Sequence, residues 1–290
     1  MRYFMELAGR TALVDTSLEL RPTAESIPFL RPATKADGAA AERTVLVRPA
    51  ERLEPMPEGG HWEVNRYYVE TPKEKRVYSC ALRGWPPYAL TVWDRGTGTV
   101  TCCYLRGQEE QVCLMRNLWE LLGIETLLLE DGGLLLHAAL VRWQGIGVVF
   151  SAPSGTGKST QAELWRRHGG AEILNGDRAG LMPCGSGWDS WGLPCAGSSG
   201  IYRNERAPLK IIAVLRQGPE NRVARLRPAR AFAALLPEIT VHRWDRDFTQ
   251  RASEALERLV TQVPAYILEC RPDRGAVEAL RAVLDGGERI

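Results

Sequence analysis

Residues 151–160 read SAPSGTGKST, and Ser154, Gly155, Thr156, Gly157, Lys158, Ser159 and Thr160 have the types and spacing that hold a polyphosphate. Glycines at 155 and 157 let backbone N–H groups turn inward, and a helix starting near the lysine adds the partial positive charge of its N-terminus. Lys158 is placed to reach the β- and γ-phosphates, and the Ser159 hydroxyl to ligate Mg²⁺. The usual pattern has a glycine six residues before the lysine, where this chain has Ala152. An alanine that keeps φ negative there costs nothing. A Gly/Ser-rich turn with a solvated lysine would share the composition, but not the apolar run GIGVVF before it and the helical QAELWRR after it. A second candidate is Asp177 in AEILNGDRAGL, at the carboxyl end of a buried EIL strand, the edge where open α/β sheets bind ligands. Aspartate also caps turns after strands, so the position alone does not decide.

The loop needs a strand before it and a helix after it. LLLHAALVRW and GIGVVFSA are apolar runs separated by WQG, which predicts a hairpin whose second strand feeds the loop. STQAELWRRHG predicts a helix stopped by Gly169 and Gly170. Downstream, LKIIAVLRQ and AYILECRP read as strands, and ARAFAALLPEI, DFTQRASEALERLVTQV and GAVEALRAVLDGG as helices. SGWDSWGLPCAGSSGIYRNERAP is too long for a plain connector. Its small residues, with Ser198 and Ser199, suit an acceptor pocket or a loop packed by its tryptophans. Arg203 and Arg206 suit a phosphate clamp or surface ion pairs.

Upstream, QVCLMRNLWELLGIETLLLEDGG carries apolar residues at helical spacing and ends a helix near Gly123. Between His61 and Cys113, RVYSCALRG, YALTVWD and TVTCCYLRG predict short antiparallel strands. RPTAESIPFLRPATKADGAAAER predicts an exposed loop or linker. The expected organisation is a smaller β-rich α+β N-terminal domain over residues 1–122, with an exposed Pro/Ala-rich loop at 21–60, and an α/β nucleotide-binding domain over 123–290.

Composition narrows the function classes. A chain of 290 residues, 44% hydrophobic, can bury a sizeable core. With 37 basic and 35 acidic side chains and a net charge of +2, nothing global drives it toward nucleic acid or anionic lipid. No run reaches the roughly 18 apolar residues of a membrane helix, and the N-terminus lacks a secretory pattern, so a cytoplasmic location is expected. Seven cysteines without a CxxC pair point to reduced thiols rather than a disulfide framework or zinc site. Cys195 has no histidine placed in sequence to activate it and reads as a packed small residue.

HAALVRWQGIGVVFSAPSGTGKST followed by LNGDRAGL resembles the HPr kinase/phosphorylase family, whose domain is related to ATP-dependent phosphoenolpyruvate carboxykinase. There, a histidine one short hairpin before a GxSGxGKS loop and an acidic motif after the loop helix occur in the same order. The resemblance spans roughly residues 125–215 and implies an α/β, HPr kinase-like domain using ATP and Mg²⁺. It also implies roles. Asp177 would take the proton of, or orient, an acceptor hydroxyl; Lys158 and the loop amides would hold phosphates; Ser159 would hold the metal; His137 would sit under the loop. Flanked by LLL and AAL, His137 by itself reads equally as a hydrogen-bonded core histidine.

Two departures follow. The family carries adjacent aspartates where this chain has Asn175-Gly176-Asp177-Arg178, so Asp177 would serve both metal and hydroxyl, or a further acid would join; Glu205 is the candidate, by its place in GIYRNERAP. No clear copy of the segment associated with phosphorolysis is present, which favours transfer in the kinase direction. Relatives include kinases of ribosomally made peptide precursors, such as those of lasso peptides, so a peptide or small-protein serine is the implied acceptor. A small-metabolite kinase, a carboxykinase-like enzyme and a nucleotide-dependent peptide-binding module stay open, as does a homo-oligomer.

Overall fold

The chain divides into two units, residues 1–126 and 127–290, and the computed structural model describes residues 1–195 and 197–286. The first unit contains β1 (Arg2–Leu7), β2 (Arg10–Thr16), β3 (Leu30–Pro32), α1 (Asp37–Ala40), β4 (Arg43–Ala50), β5 (His61–Glu63), β6 (Arg66–Glu70), β7 (Glu74–Cys80), β8 (Pro87–Asp94), β9 (Val100–Leu105) and α2 (Met115–Leu122). Its strands form one nine-stranded sheet in the order β3-β1-β2-β4-β9-β8-β7-β6-β5. Strands β5 to β9 pair antiparallel in sequence order, as the alternation of β-branched and aromatic residues predicts.

The expected exposed loop at 21–60 is corrected by this sheet. β4 lies inside it, parallel to both β2 and β9, with Val45 and Val47 fully buried. Pro49 is tolerated because β2 pairs only as far as Val47, so its missing N–H faces no partner on that side. The segment before β4 is also anchored. Phe29 is buried and meets Trp119 of α2 edge to face at 6.2 Å, and the Trp119 indole N–H donates to Ser26 Oγ at 3.0 Å.

α3 (Ile124–Glu130) leads into the second unit, with β10 (Leu134–Trp143), β11 (Ile146–Ser151), α4 (Lys158–Leu164), β12 (Glu172–Asn175), β13 (Arg178–Cys184), β14 (Gly187–Gly192), β15 (Arg206–Gln217), β16 (Arg222–Arg225), α5 (Pro228–Leu235), α6 (Arg246–Gln262), β17 (Ala265–Cys270) and α7 (Arg274–Gly286). The result is a mixed α/β unit with its own sheet, ordered β11-β10-β13-β14-β15-β17-β16. The predicted hairpin is present, with Trp143 opposite Ile146 across a two-residue turn. β10 has three neighbours: Leu134–His137 pair with β13, Leu140–Arg142 with β12, and Ala138–Trp143 with β11. β11, β15 and β17 run parallel. Both faces are covered, one by residues of α5 and α6 such as Leu235, Leu256 and Leu259, the other by α4 and α7 through Ala162, Val277 and Leu280. Such two-sided burial is why these strands read as continuous apolar runs. Among the described residues, no helix is long and apolar enough to cross a membrane.

Candidate functional site

β11 ends at Ser151, and the loop Ala152–Gly157 carries the chain straight into α4. Gly157 at the helix N-cap has φ 116°, which only glycine adopts without strain, and Gly155 is likewise left-handed at 80°. Ala152 is buried and keeps a negative φ, so the missing first glycine costs the loop nothing. Its carbonyl accepts a 2.8 Å hydrogen bond from Lys158 Nζ, and the Pro153 carbonyl a second at 3.3 Å. Lys158 is only 7% exposed. Burial pushes its ammonium below the ordinary lysine range, opposed by the charges of Glu238 and Asp177 and reinforced by Arg178.

Asp177 is held in place by Asn175, which is fully buried at the end of β12. Asn175 Oδ1 accepts from the backbone N–H groups of Asp177 and Arg178 at 2.8 and 2.9 Å, while its amide donates to the Leu193 and Cys195 carbonyls at 2.8 and 2.9 Å. All four hydrogen-bonding positions of the side chain are thereby used. The turn is tied to the phosphate-loop helix as well, because Ser159 Oγ donates to the Gly176 carbonyl at 3.2 Å. It is tied to β10 by the Ala138 N–H, which donates to the Asp177 carbonyl at 3.0 Å.

These ties bring three charged or ionisable side chains, those of His137, Arg178 and Glu238, around Asp177 and Lys158. His137 Nε2 stands 3.5 Å from Asp177 Oδ1, and Arg178 Nε 3.4 Å from Asp177 Oδ2. On the other edge of the imidazole, Nδ1 lies 3.1 Å from Glu238 Oε2. Glu238, nearly buried on the short turn after α5, is a site residue that sequence reading missed. The one signal for it was an acid closing the apolar run AFAALLPEI. Arg178 was legible only as the neighbour of Asp177.

Ser154 and Thr160 stand exposed on the loop and the first turn of α4. Beside them an open cleft of about 380 Å³ is lined by Thr156, Thr160, Gln161, Gln217 and Arg271, among others, at the carboxyl ends of β15 and β17. The turn Gly197–Ser199 leans on the acid: a Cβ on Gly197 would come within 2.7 Å of Asp177 Cγ, and one on Gly176 within 2.2 Å of Ser199 Oγ. Ser199 is thus beside Asp177; the Ser198 side chain lies outside the described residues.

Three expected residues are not brought here. Glu205 pairs with Arg142 at 2.6 Å and with Arg203 at 3.6 Å, and both arginines also face Glu172. Arg142 is five residues along β10 from His137, about 17 Å at ~3.3 Å per residue, so Glu205 does not join Ser159 and Asp177 as a metal ligand. Arg206 pairs with Asp189 at 2.9 Å at the amino end of β15. The loop lies toward the other end, where Ser151 pairs with Val214, about 26 Å away by the same strand rise. In the structure Arg203 pairs with Glu172 and Glu205, and Arg206 with Asp189. Their charges are spent on carboxylates that sequence distance does not reveal.

The groups that do converge fit a magnesium nucleotide. A buried ammonium with two of its three donors on loop carbonyls suits an anionic oxygen, and left-handed glycines at a helix N-terminus supply the cradle. Ser159 Oγ and the Asp177 carboxylate are hard oxygen donors. Magnesium characteristically takes one or two such protein ligands and completes its shell with water and phosphate. Among the described residues, no three His, Cys, Asp or Glu side chains are grouped to cage a metal ion.

In structure the chain is similar to an HPr(Ser) kinase/phosphatase from Coxiella burnetii over 52% of this chain and 93% of that one, with 13% identity and a TM-score of 0.29. A likeness of that strength bears on neither activity nor substrate. No curated protein matches the sequence. The model of one family, described as SynChlorMet cassette protein ScmC, matches residues 100–275, more than half of the chain and all of the site residues described above. The chain belongs to the ScmC family of SynChlorMet cassette proteins.

Proposed function

We propose that the second unit is a phosphotransferase that uses ATP and Mg²⁺ to phosphorylate a hydroxyl, with a serine of a peptide or small protein as acceptor. The observation that carries this reading is the meeting of Lys158, Ser159 and Asp177 at the mouth of a strand–glycine loop–helix, on a turn locked by Asn175. Bound Mg²⁺ and ATP supply the transferable phosphoryl group and the divalent charge that neutralises it. The loop N–H groups and Lys158 would bind phosphate oxygens, and Ser159 and Asp177 would hold the metal. Asp177 accepts the proton of the acceptor hydroxyl as its oxygen bonds to phosphorus and the bond to the departing ADP oxygen breaks. Arg178, beside one carboxylate oxygen, fixes the direction in which Asp177 points, and the Nε2 edge of His137 faces the other. The cleft beside Thr160 and Gln217 has room for the nucleoside, and Ser199 borders the acceptor side.

Two variants test the reading. Lys158→Ala loses ATP affinity and transfer together. Asp177→Asn keeps ATP affinity, measured calorimetrically, while kcat falls about 100-fold or more, the range for a lost general base. Full activity in Asp177→Asn would overturn the mechanism.

A further inference from the structure

Glu238 reaches His137 from 101 residues along the chain, and its position is fixed by backbone pairing rather than by a flexible stem. The turn Leu236–Glu238 has Pro237 in its first positions. The next residues bridge to β10 itself: Ile239 pairs with Leu136, and the Thr240 N–H donates to the Leu135 carbonyl at 2.9 Å. Leu235 and Ile239 on either side are buried in the core. Glu238 is therefore presented to His137 as rigidly as a neighbouring strand residue would be. The proton on one imidazole nitrogen is set by the hydrogen bond that nitrogen makes, and a carboxylate accepts but does not donate.

We propose that Glu238 is a positioning residue, which holds the Nδ1 proton of His137 and so turns the Nε2 edge of the ring toward Asp177 and the phosphate loop. A carboxylate on the far side of a histidine orients the ring in the same way in catalytic triads and metal sites. The facing charged groups are Asp177 on β13's entry turn, Lys158 on α4 and Arg178 on β13. The consequence for catalysis rests on the phosphotransferase reading; the ring geometry does not.

The test is long-range ¹H–¹⁵N correlation of the four histidine side chains, with the His137 signals assigned by their loss in His137→Gln. In the wild-type protein, Nδ1 of His137 shows the shift of a protonated ring nitrogen. Glu238→Gln, which keeps an acceptor oxygen, preserves it; Glu238→Leu, an apolar residue of similar bulk in a buried place, moves the proton to Nε2. A bare Nδ1 in the wild type, or a ring unaffected by Glu238→Leu, would overturn the proposal. With labelled ATP and an acceptor peptide, Glu238→Leu lowers kcat about 10–100-fold with KM for ATP unchanged, and Glu238→Gln recovers most of the loss. Loss of ATP affinity instead would assign Glu238 to the phosphate site and refute a positioning role. If even the wild type transfers no phosphate, the phosphotransferase reading fails while the spectra still decide the ring geometry.

Discussion

Replacing Asn175 should disable the turn that presents Asp177, with a cost that the hydrogen bonds set. The side chain makes four of them, all at 2.8–2.9 Å, and is wholly excluded from solvent. Each is worth about 0.5–1.5 kcal/mol net, so Asn175→Ala should destabilise the second unit by about 2–6 kcal/mol. Asn175→Asp changes a single atom, keeps the two bonds accepted from Asp177 and Arg178, and turns an oxygen toward the Leu193 and Cys195 carbonyls. That leaves a buried charge facing two acceptors, so the near-isosteric change should cost at least as much as alanine. Urea denaturation reads this directly. At slopes of about 1–3 kcal/mol per molar, both midpoints should fall by about 1 M or more. A midpoint for Asn175→Asp within about 0.3 M of wild type would refute the claim that all four positions are committed.

Gly197→Ala should push the Asp177 carboxylate out of place, since the added methyl meets Asp177 Cγ at 2.7 Å from a left-handed backbone at φ 51°; transfer should fall while calorimetric ATP affinity holds, and unchanged kcat would contradict it. The Asp37 carboxyl is held well below the usual carboxylate range by two 2.9 Å hydrogen bonds from Arg31 and by the Thr34 N–H. That stabilisation is complete above the unfolded value near 3.9 and is lost as pH falls through the lower folded value. Thermal midpoints between pH 5 and pH 2 should therefore drop less in Asp37→Asn than in the wild type, and equal drops would refute the pairing. Burial pushes the Cys102 thiol up to about 12, whereas Cys184 is exposed. Iodoacetamide at pH 8 should modify Cys184 first and Cys102 only after denaturation, as peptide mass mapping would show.

The phosphate loop was legible because everything it needs is local: an apolar strand, two glycines, a lysine and a helix within some 20 residues. Asp177 followed from its place at a strand's carboxyl end. What sequence did not reveal was long-range partnership. Glu205 and Arg203 follow Asp177 on the loop leading to β15, yet their charges are met by Arg142 at the far end of β10 and by Glu172 at the start of β12. Glu238 looks like the last residue of an amphipathic helix and becomes a site residue only because Ile239 and Thr240 pair with β10. In the first unit, β4 was hidden by its proline and by parallel pairing to strands before and far after it, which no hairpin signal announces. The antiparallel meander from β5 to β9 was readable because each strand meets its neighbour through a short turn.

Phosphoryl transfer from ATP that depends on Asp177 can be read with γ-labelled ATP. The purified chain is incubated with Mg²⁺ and peptides encoded beside its gene, and each peptide is followed by intact mass and radiolabel. One added phosphate is expected on a peptide serine with the wild type and none with Asp177→Asn under the same conditions. ATP binding by the wild type with no label on any hydroxyl, or equal labelling by Asp177→Asn, would contradict it.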